Sequence, residues 1–200
     1  MLVGVKPMLK NLTSRFSQSL RHFGHNDSGV SAVEFAFVGP PFLIILGCTI
    51  ETGMMMFTEY MLQSAVNDSA RLVRTGQAQT NPLSKDQFKA AICKTASLMI
   101  DCTGGVTVYV RSDTNFQNLK NNLPPLVNIG PSVSGSTQAP ACYSPGAPTQ
   151  PAAVVATYDW YFNMWGMSPL GNIGGGAARR LIGFAIFQNE PYPGTSTPSC

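Results

Sequence analysis

The side chains that most often carry catalysis are scarce in the main part of the chain. The two histidines, His22 and His25, lie close to the N-terminus, so the rest of the sequence offers no imidazole for a catalytic triad or a metal site. The acidic residues are spread singly, and no Cys or His spacing is typical of a zinc site. We therefore predict that the protein is not an enzyme and has no catalytic residue, no metal and no cofactor.

Glu34 is a charged residue at the start of an apolar segment, because no charge occurs from Phe35 to Ile50. A carboxylate costs roughly 2.5–3.5 kcal/mol at the centre of a membrane-spanning helix and less toward its edge. One interpretation is that Glu34 lies at the interface and complements the helix N-terminus. A second is that the chain is cut between Gly29 and Val30, which gives Val30 a positively charged α-amino group. Glu34 would then pair with the Val30 amine of a neighbouring subunit.

The distribution of charge indicates a membrane topology. The whole net charge of +3 lies before Val30, where there are four basic residues and one acidic residue, Asp27. Lys and Arg beside a membrane segment stay cytoplasmic, so we expect the N-terminus inside and the C-terminal body outside. The main body carries no excess of positive charge that would favour nucleic acid.

The cysteines agree with this orientation. Cys48 lies within the apolar segment, and four others lie in the exterior part: Cys93, Cys102, Cys142 and Cys200. An even number of exterior cysteines fits disulfides in an oxidising compartment. Three pairings are open, and buried free thiols are an alternative. We favour Cys93–Cys102, in a short loop that joins a helix to a strand, with Cys142–Cys200 as the second pair.

Hydrophobic periodicity predicts one long helix over residues 31–75. Its first part, residues 30–50, is about 21 residues and so about as long as the ~30 Å hydrocarbon core is thick. Pro40 and Pro41 lie inside it, and a membrane helix tolerates the kink that such a pair causes. Its second part is amphipathic, with two apolar stripes at helical spacing. The first stripe comprises Ile50, Met54, Phe57, Met61 and Ala65, and the second comprises Leu62, Val66 and Val73.

The remaining pattern predicts a second amphipathic helix over residues 84–99, which Ser84 and Gln87 begin as a capping box. Strands are predicted over 106–111, 153–162 and 180–188, with a long loop over 112–150. Trp160, Tyr161, Phe162 and Trp165 are better interpreted as core or interface residues than as a ligand platform. The predicted fold class is α+β, with a three-stranded antiparallel sheet packed against the exterior half of the long helix.

These residues resemble a known family. The string Gly29-Val30-Ser31-Ala32-Val33-Glu34-Phe35 resembles the processing motif of type IV prepilins, a glycine followed by a glutamate at mature position five. Residues 31–38 with Pro40 or Pro41 are similar to the TadE/TadF pseudopilins of the tight adherence (Flp) pilus system. Tyr158-Asp159-Trp160 and Gln188-Asn189-Glu190-Pro191-Tyr192 are similar to segments near the C-terminus of TadE-like proteins, although Gln188 stands where a basic residue is common. Cys93, Cys102 and the strand that follows also fit.

The resemblance implies a minor pilin-like subunit of the bacterial inner membrane, cut after Gly29 by an aspartic prepilin peptidase and present there or at the pilus base. The expected parts are a basic cytoplasmic leader (1–29), a transmembrane segment (30–50), a periplasmic pilin-like domain (51–192) and a tail (193–200). The partners would be other pseudopilins, the major pilin, the prepilin peptidase, the inner-membrane assembly platform and the membrane, with no nucleic acid or small-molecule substrate. Two alternatives remain: an uncleaved membrane-anchored periplasmic binding module, or a lipoprotein lipidated at Cys48, which follows Ile45-Leu46-Gly47.

Overall fold

A computed structural model describes residues 29–97, 100–102, 104–132, 138–176, 178–193 and 200. The expected leader before Gly29, with both histidines, lies outside the described residues, as does most of the expected tail. The chain divides into two compact units, Met1–Gly47 and Cys48–Cys200. The long helix α1, Val30–Arg74, contributes residues to both units.

The described part of the first unit is the N-terminal part of α1. Its side chains are almost all exposed, including Phe35, Phe37 and Ile45, each more than 60% accessible. The helix continues through Pro40 and Pro41, whose rings lack the N–H groups that would otherwise bind the carbonyls of Ala36 and Phe37. A helix that is apolar all round needs an apolar environment. Among the described residues, α1 is the helix that is long and apolar enough to cross a membrane.

The second unit confirms the predicted α+β class. After α1 come the short helix α2, Gln77–Thr80, and helix α3, Lys85–Ala96, followed by strand β1, Val106–Ser112. Helix α4, Phe116–Asn122, lies between β1 and strand β2, Pro151–Tyr161, and strand β3, Ala178–Gln188, follows. The strands form an antiparallel sheet in the order β1-β2-β3.

The sheet has a hydrophobic core on each face. Alternate residues of β2 point to opposite faces. Val154 and Ala156 belong to the larger cluster, whereas Val155 belongs to a smaller one with Tyr109 and Ile129. The larger cluster joins the sheet to the second half of α1, as the sequence predicted, and also to α3. Its helical members include Met55, Leu62, Ala65, Val66, Val73, Phe88 and Ile92.

The two apolar stripes at helical spacing on α1 differ in burial. Leu62, Val66 and Val73 are completely buried, as expected for the second stripe. In the first stripe Ala65 is buried, but Ile50, Met54 and Phe57 are about half exposed. The core face passes through Met55 and Thr58 instead. The second unit therefore presents apolar side chains of α1 on its surface.

The first helix runs beside the edge strand β3. The side-chain amide of Gln63 donates from Nε2 to the carbonyl of Phe184 (2.9 Å), and the Phe184 N–H donates to Gln63 Oε1 (3.1 Å). A free sheet edge presents unpaired backbone groups that other strands can bind. Gln63 satisfies both groups of one edge residue, so α1 closes this part of the edge.

The predicted loop over residues 112–150 contains regular structure that the sequence analysis missed. Helix α4 begins with Asn115 as its N-cap, whose Oδ1 accepts from the Asn118 N–H at 2.7 Å. The Leu119 side chain is buried beneath it. Seven residues give little periodicity to detect, and the cap was the available signal.

Two disulfides are formed in the second unit. Cys93 is joined to Cys102 and Cys142 to Cys200, with Cα–Cα distances of 5.8 and 5.7 Å. These are the same pairs that the sequence favoured. Cys48 is a free thiol.

Candidate processing and assembly site on the first helix

The residues of the expected processing site lie at the point where α1 begins. Gly29 directly precedes the helix, and Val30 is the first residue of α1. Both are exposed. A Cβ added at Gly29 would meet no atom within 4 Å, and Gly29 has no positive φ. The described structure therefore gives no steric or backbone reason for a glycine at this position.

Glu34 lies four residues after Val30 on the same helix. Residues four apart are neighbours on one helical face, so Val30 and Glu34 are presented together. Glu34 is exposed, and among the described residues its carboxylate makes no hydrogen bond or ion pair. The side chains that surround it in sequence, including Val33, Phe35 and Phe37, are exposed and apolar. A negative charge is thus placed on an apolar helix without an intramolecular partner in the described part.

Glu51 is a second important carboxylate on α1, and the sequence analysis assigned it no role. Its side chain is 7% exposed. Oε1 accepts from the backbone N–H of Asn163 at 2.7 Å, and Oε2 accepts from the N–H of Met164 at 3.0 Å. Hydrogen bonds to a carboxylate are stronger than those between neutral groups. Glu51 therefore holds the loop that follows β2 against α1.

The other end of the exterior half of α1 is held by the segment Gln188–Tyr192. The Glu190 N–H donates to the carbonyl of Arg74 at 2.8 Å, and the two side chains form an exposed ion pair at 3.3 Å. The buried Asn189 donates from Nδ2 to the carbonyls of Pro145 and Ala147, both at 3.0 Å. The motif that carried part of the family resemblance thus binds the last turn of α1 to the loop before β2.

The Asp159 of the Tyr158-Asp159-Trp160 segment also has a structural role. Its two oxygens accept from Nε and Nη2 of Arg180 at 2.6 and 2.7 Å. The guanidinium also donates to the carbonyls of Val127 and Pro131. This buried network joins β2, β3 and the 126–131 segment, and it serves the fold rather than a reaction.

An apolar helix long enough to cross a bilayer, followed by an α+β unit, defines a subunit that could be anchored in a membrane. Residues 29–71 match the model of the family described as TadE-like protein, which confirms the resemblance for the N-terminal motif and the long helix. The match begins at Gly29 and covers most of α1. Searches of curated proteins and of solved structures found no match.

Proposed function

We propose that the chain is a minor pilin-like subunit that assembles a tight-adherence pilus and catalyses no reaction itself. The observation that carries this proposal is the TadE-like match that begins at Gly29, together with Glu34 at the fifth position after the proposed cut. The subunit is anchored in the bacterial inner membrane by residues 30–50. Its N-terminus is cytoplasmic and its disulfide-bonded domain is periplasmic, which fits the oxidising character of that compartment.

Cleavage between Gly29 and Val30 by a prepilin peptidase is supported by the exposure of both residues. It is further supported by the open space around the Gly29 Cα. Because the fold does not require a glycine there, recognition by another protein is a sufficient reason for it. Removal of the basic leader leaves a helix that starts with a charged amine.

Assembly through α1 follows from the electrostatics of that new terminus. The amine of Val30 and the carboxylate of Glu34 are each unfavourable in an apolar environment. Pairing the amine of one subunit with Glu34 of the next neutralises both charges and fixes the axial register of the two helices. The partners are therefore other pseudopilins and the major pilin, which the inner-membrane assembly platform brings together.

The substitution Glu34→Gln tests this assembly role. We expect processing to continue, but co-purification with partner pseudopilins from detergent-solubilised membranes to fall by about tenfold, which corresponds to about 1.4 kcal/mol. Glu59→Gln is the matched control, since it makes the same change on the same helix outside residues 30–50. Equal recovery of partners with both variants would contradict the charge-pair mechanism.

A further inference from the structure

The loop that joins β2 to β3 has the composition of a segment at a membrane surface. No residue between Asp159 and Arg179 is charged. Three apolar side chains of this stretch are exposed: Tyr161 (62%), Trp165 (86%) and Leu170. Trp and Tyr are enriched at membrane–water interfaces, where an amphipathic ring contacts both the acyl region and the headgroups.

The level of this loop along α1 is fixed by Glu51. The carboxylate accepts the backbone N–H groups of Asn163 and Met164, the two residues that precede Trp165. Glu51 is also the first charged residue after the apolar run that ends at Ile50. Since residues 30–50 are about as long as the hydrocarbon core is thick, Glu51 marks the place where α1 enters the headgroup region. Glu51 and the loop belong to the same compact unit.

We propose that residues 161–170 are a membrane-interface anchor, with Trp165 inserted at the headgroup level of the bilayer and Glu51 holding the loop at that level. The proposal rests on the membrane-spanning role of residues 30–50, and it goes beyond that role because it places the folded domain on the lipid surface. Interfacial aromatic residues determine the tilt and rotation of a spanning helix. The anchor therefore sets the orientation in which the domain meets its neighbours.

We favour the bilayer over a protein as the partner of this surface because the loop is hydrogen-bonded to Glu51, the first charged residue after the apolar run. Asn163 and Met164 donate backbone N–H groups that would be costly to leave unpaired in a partly apolar region, and Glu51 accepts both. The exposed side chains Met54 and Phe57 follow Glu51 within two turns of α1, so the apolar surface of the helix continues past the end of the apolar run. A second copy of the chain on the loop is the competing possibility, and the test below separates the two.

The test uses the full chain in phosphatidylcholine–phosphatidylglycerol vesicles. The Trp160→Phe variant leaves Trp165 as the single tryptophan. This change should be mild, because the buried Trp160 Nε1 has no hydrogen-bond partner among the described residues. The vesicles contain lipid brominated either near the headgroup or near the acyl chain end. We expect at least about twofold more quenching of Trp165 emission by the shallow bromines than by the deep ones, as for an indole at the headgroup level.

Two glutamate substitutions on α1 test whether Glu51 holds the loop in place. Glu51→Gln leaves one carbonyl oxygen for two N–H donors, so the loop should detach and the shallow quenching should fall by about half or more. Glu59→Gln is the control and should quench as the parent does. If Trp160→Phe folds poorly, the difference between the parent and Trp165→Phe gives the same Trp165 signal.

Three results would overturn the proposal. Trp165 that is open to acrylamide and unquenched by both lipids would show that the loop lies in water. Trp165 that is shielded from acrylamide but unquenched by lipid would show that a second copy or another protein covers it. If alkaline carbonate removes the chain from the vesicles, the membrane-spanning role is overturned together with the anchor. If the chain is retained but Trp165 is not quenched, the anchor alone is overturned.

Discussion

Asp159 and Arg180 face each other across β2 and β3 and form a two-point ion pair, with Nε–Oδ1 and Nη2–Oδ2 distances of 2.6 and 2.7 Å. The Arg180 side chain is almost completely buried and the Asp159 side chain nearly so. The guanidinium also donates to two carbonyls of the 126–131 segment. A buried pair of this kind is costly to break because the remaining charge loses its partner.

We therefore expect Asp159→Ala to lower the free energy of unfolding by roughly 3–5 kcal/mol. Urea titration of the full chain in detergent, followed by far-UV circular dichroism, measures this change. Arg179→Ala is the neighbouring control, since the Arg179 Nη1 donates to the Leu170 carbonyl at an exposed position, and it should cost less than about 1 kcal/mol. Similar losses of unfolding free energy for the two variants would show that the buried ion pair stabilises the fold no more than the exposed hydrogen bond of Arg179 does.

Alanine substitutions at two glycines, one in the turn after α1 and one within α1, should have opposite effects on stability. Gly76 has φ +78°, and a Cβ there would clash with the ring of Tyr192. Gly76→Ala should therefore destabilise the domain by about 1–2 kcal/mol or more. Gly53 lies within α1, and a Cβ there meets nothing within 4 Å, so Gly53→Ala should stabilise it by about 0.5–1 kcal/mol. The same urea titration compares them, and a stabilising Gly76→Ala would mean that Tyr192 does not contact this turn.

The disulfides predict a difference in stability between two cysteine variants. Cys142–Cys200 spans a separation of 58 residues and Cys93–Cys102 one of 9. In the chain-entropy description the longer loop stabilises more, by roughly 1.5 kcal/mol. Cys142→Ser should therefore unfold at lower urea than Cys93→Ser, and Cys48→Ser should match the parent. Non-reducing peptide mapping that finds Cys93 and Cys102 both freely alkylated would reject the pairing itself.

Because the Tyr143 phenol is partly buried, we expect the protein to lose stability at high pH. Its ring lies 5.7 Å from that of Phe88, and burial raises the pKa of Tyr143 from 10.0 to about 12. The folded state thus favours the neutral phenol, so this contribution to stability is complete below pH 10 and is lost as the pH rises from 10 to 12. As the pH rises across this range, the thermal unfolding temperature of Tyr143→Phe should fall less steeply than that of the parent. Parallel curves would show that Tyr143 does not ionise on unfolding.

Much of the fold was predictable because long elements carry strong local signals. The helix expected over 31–75 is observed as Val30–Arg74, and the capping box of Ser84 and Gln87 begins α3 as expected. The strands began up to two residues earlier than predicted, since strand ends depend on pairing with neighbours that are distant in sequence. Pro151 can begin β2 because a proline is tolerated as the first residue of a strand.

The hydrogen bonds that join α1 to segments distant in sequence were not predictable from the local sequence pattern. Glu51 binds backbone N–H groups more than a hundred residues away, and a backbone donor leaves no trace in the sequence. The apolar stripe through Ile50, Met54 and Phe57 had helical spacing, but spacing alone does not say which of two apolar faces meets the sheet. The core side of α1 became clear only from the contacts of Met55, Leu62 and Val66.

The pilin-like proposal requires a particular residue at the mature N-terminus. Intact mass measurement with N-terminal sequencing of the protein purified from membranes gives that residue. We predict a chain that begins at Val30 with a free amine. A chain that keeps Met1 would contradict processing and favour an uncleaved membrane module, and a chain that begins at a lipidated Cys48 would contradict the pilin-like proposal and identify a lipoprotein.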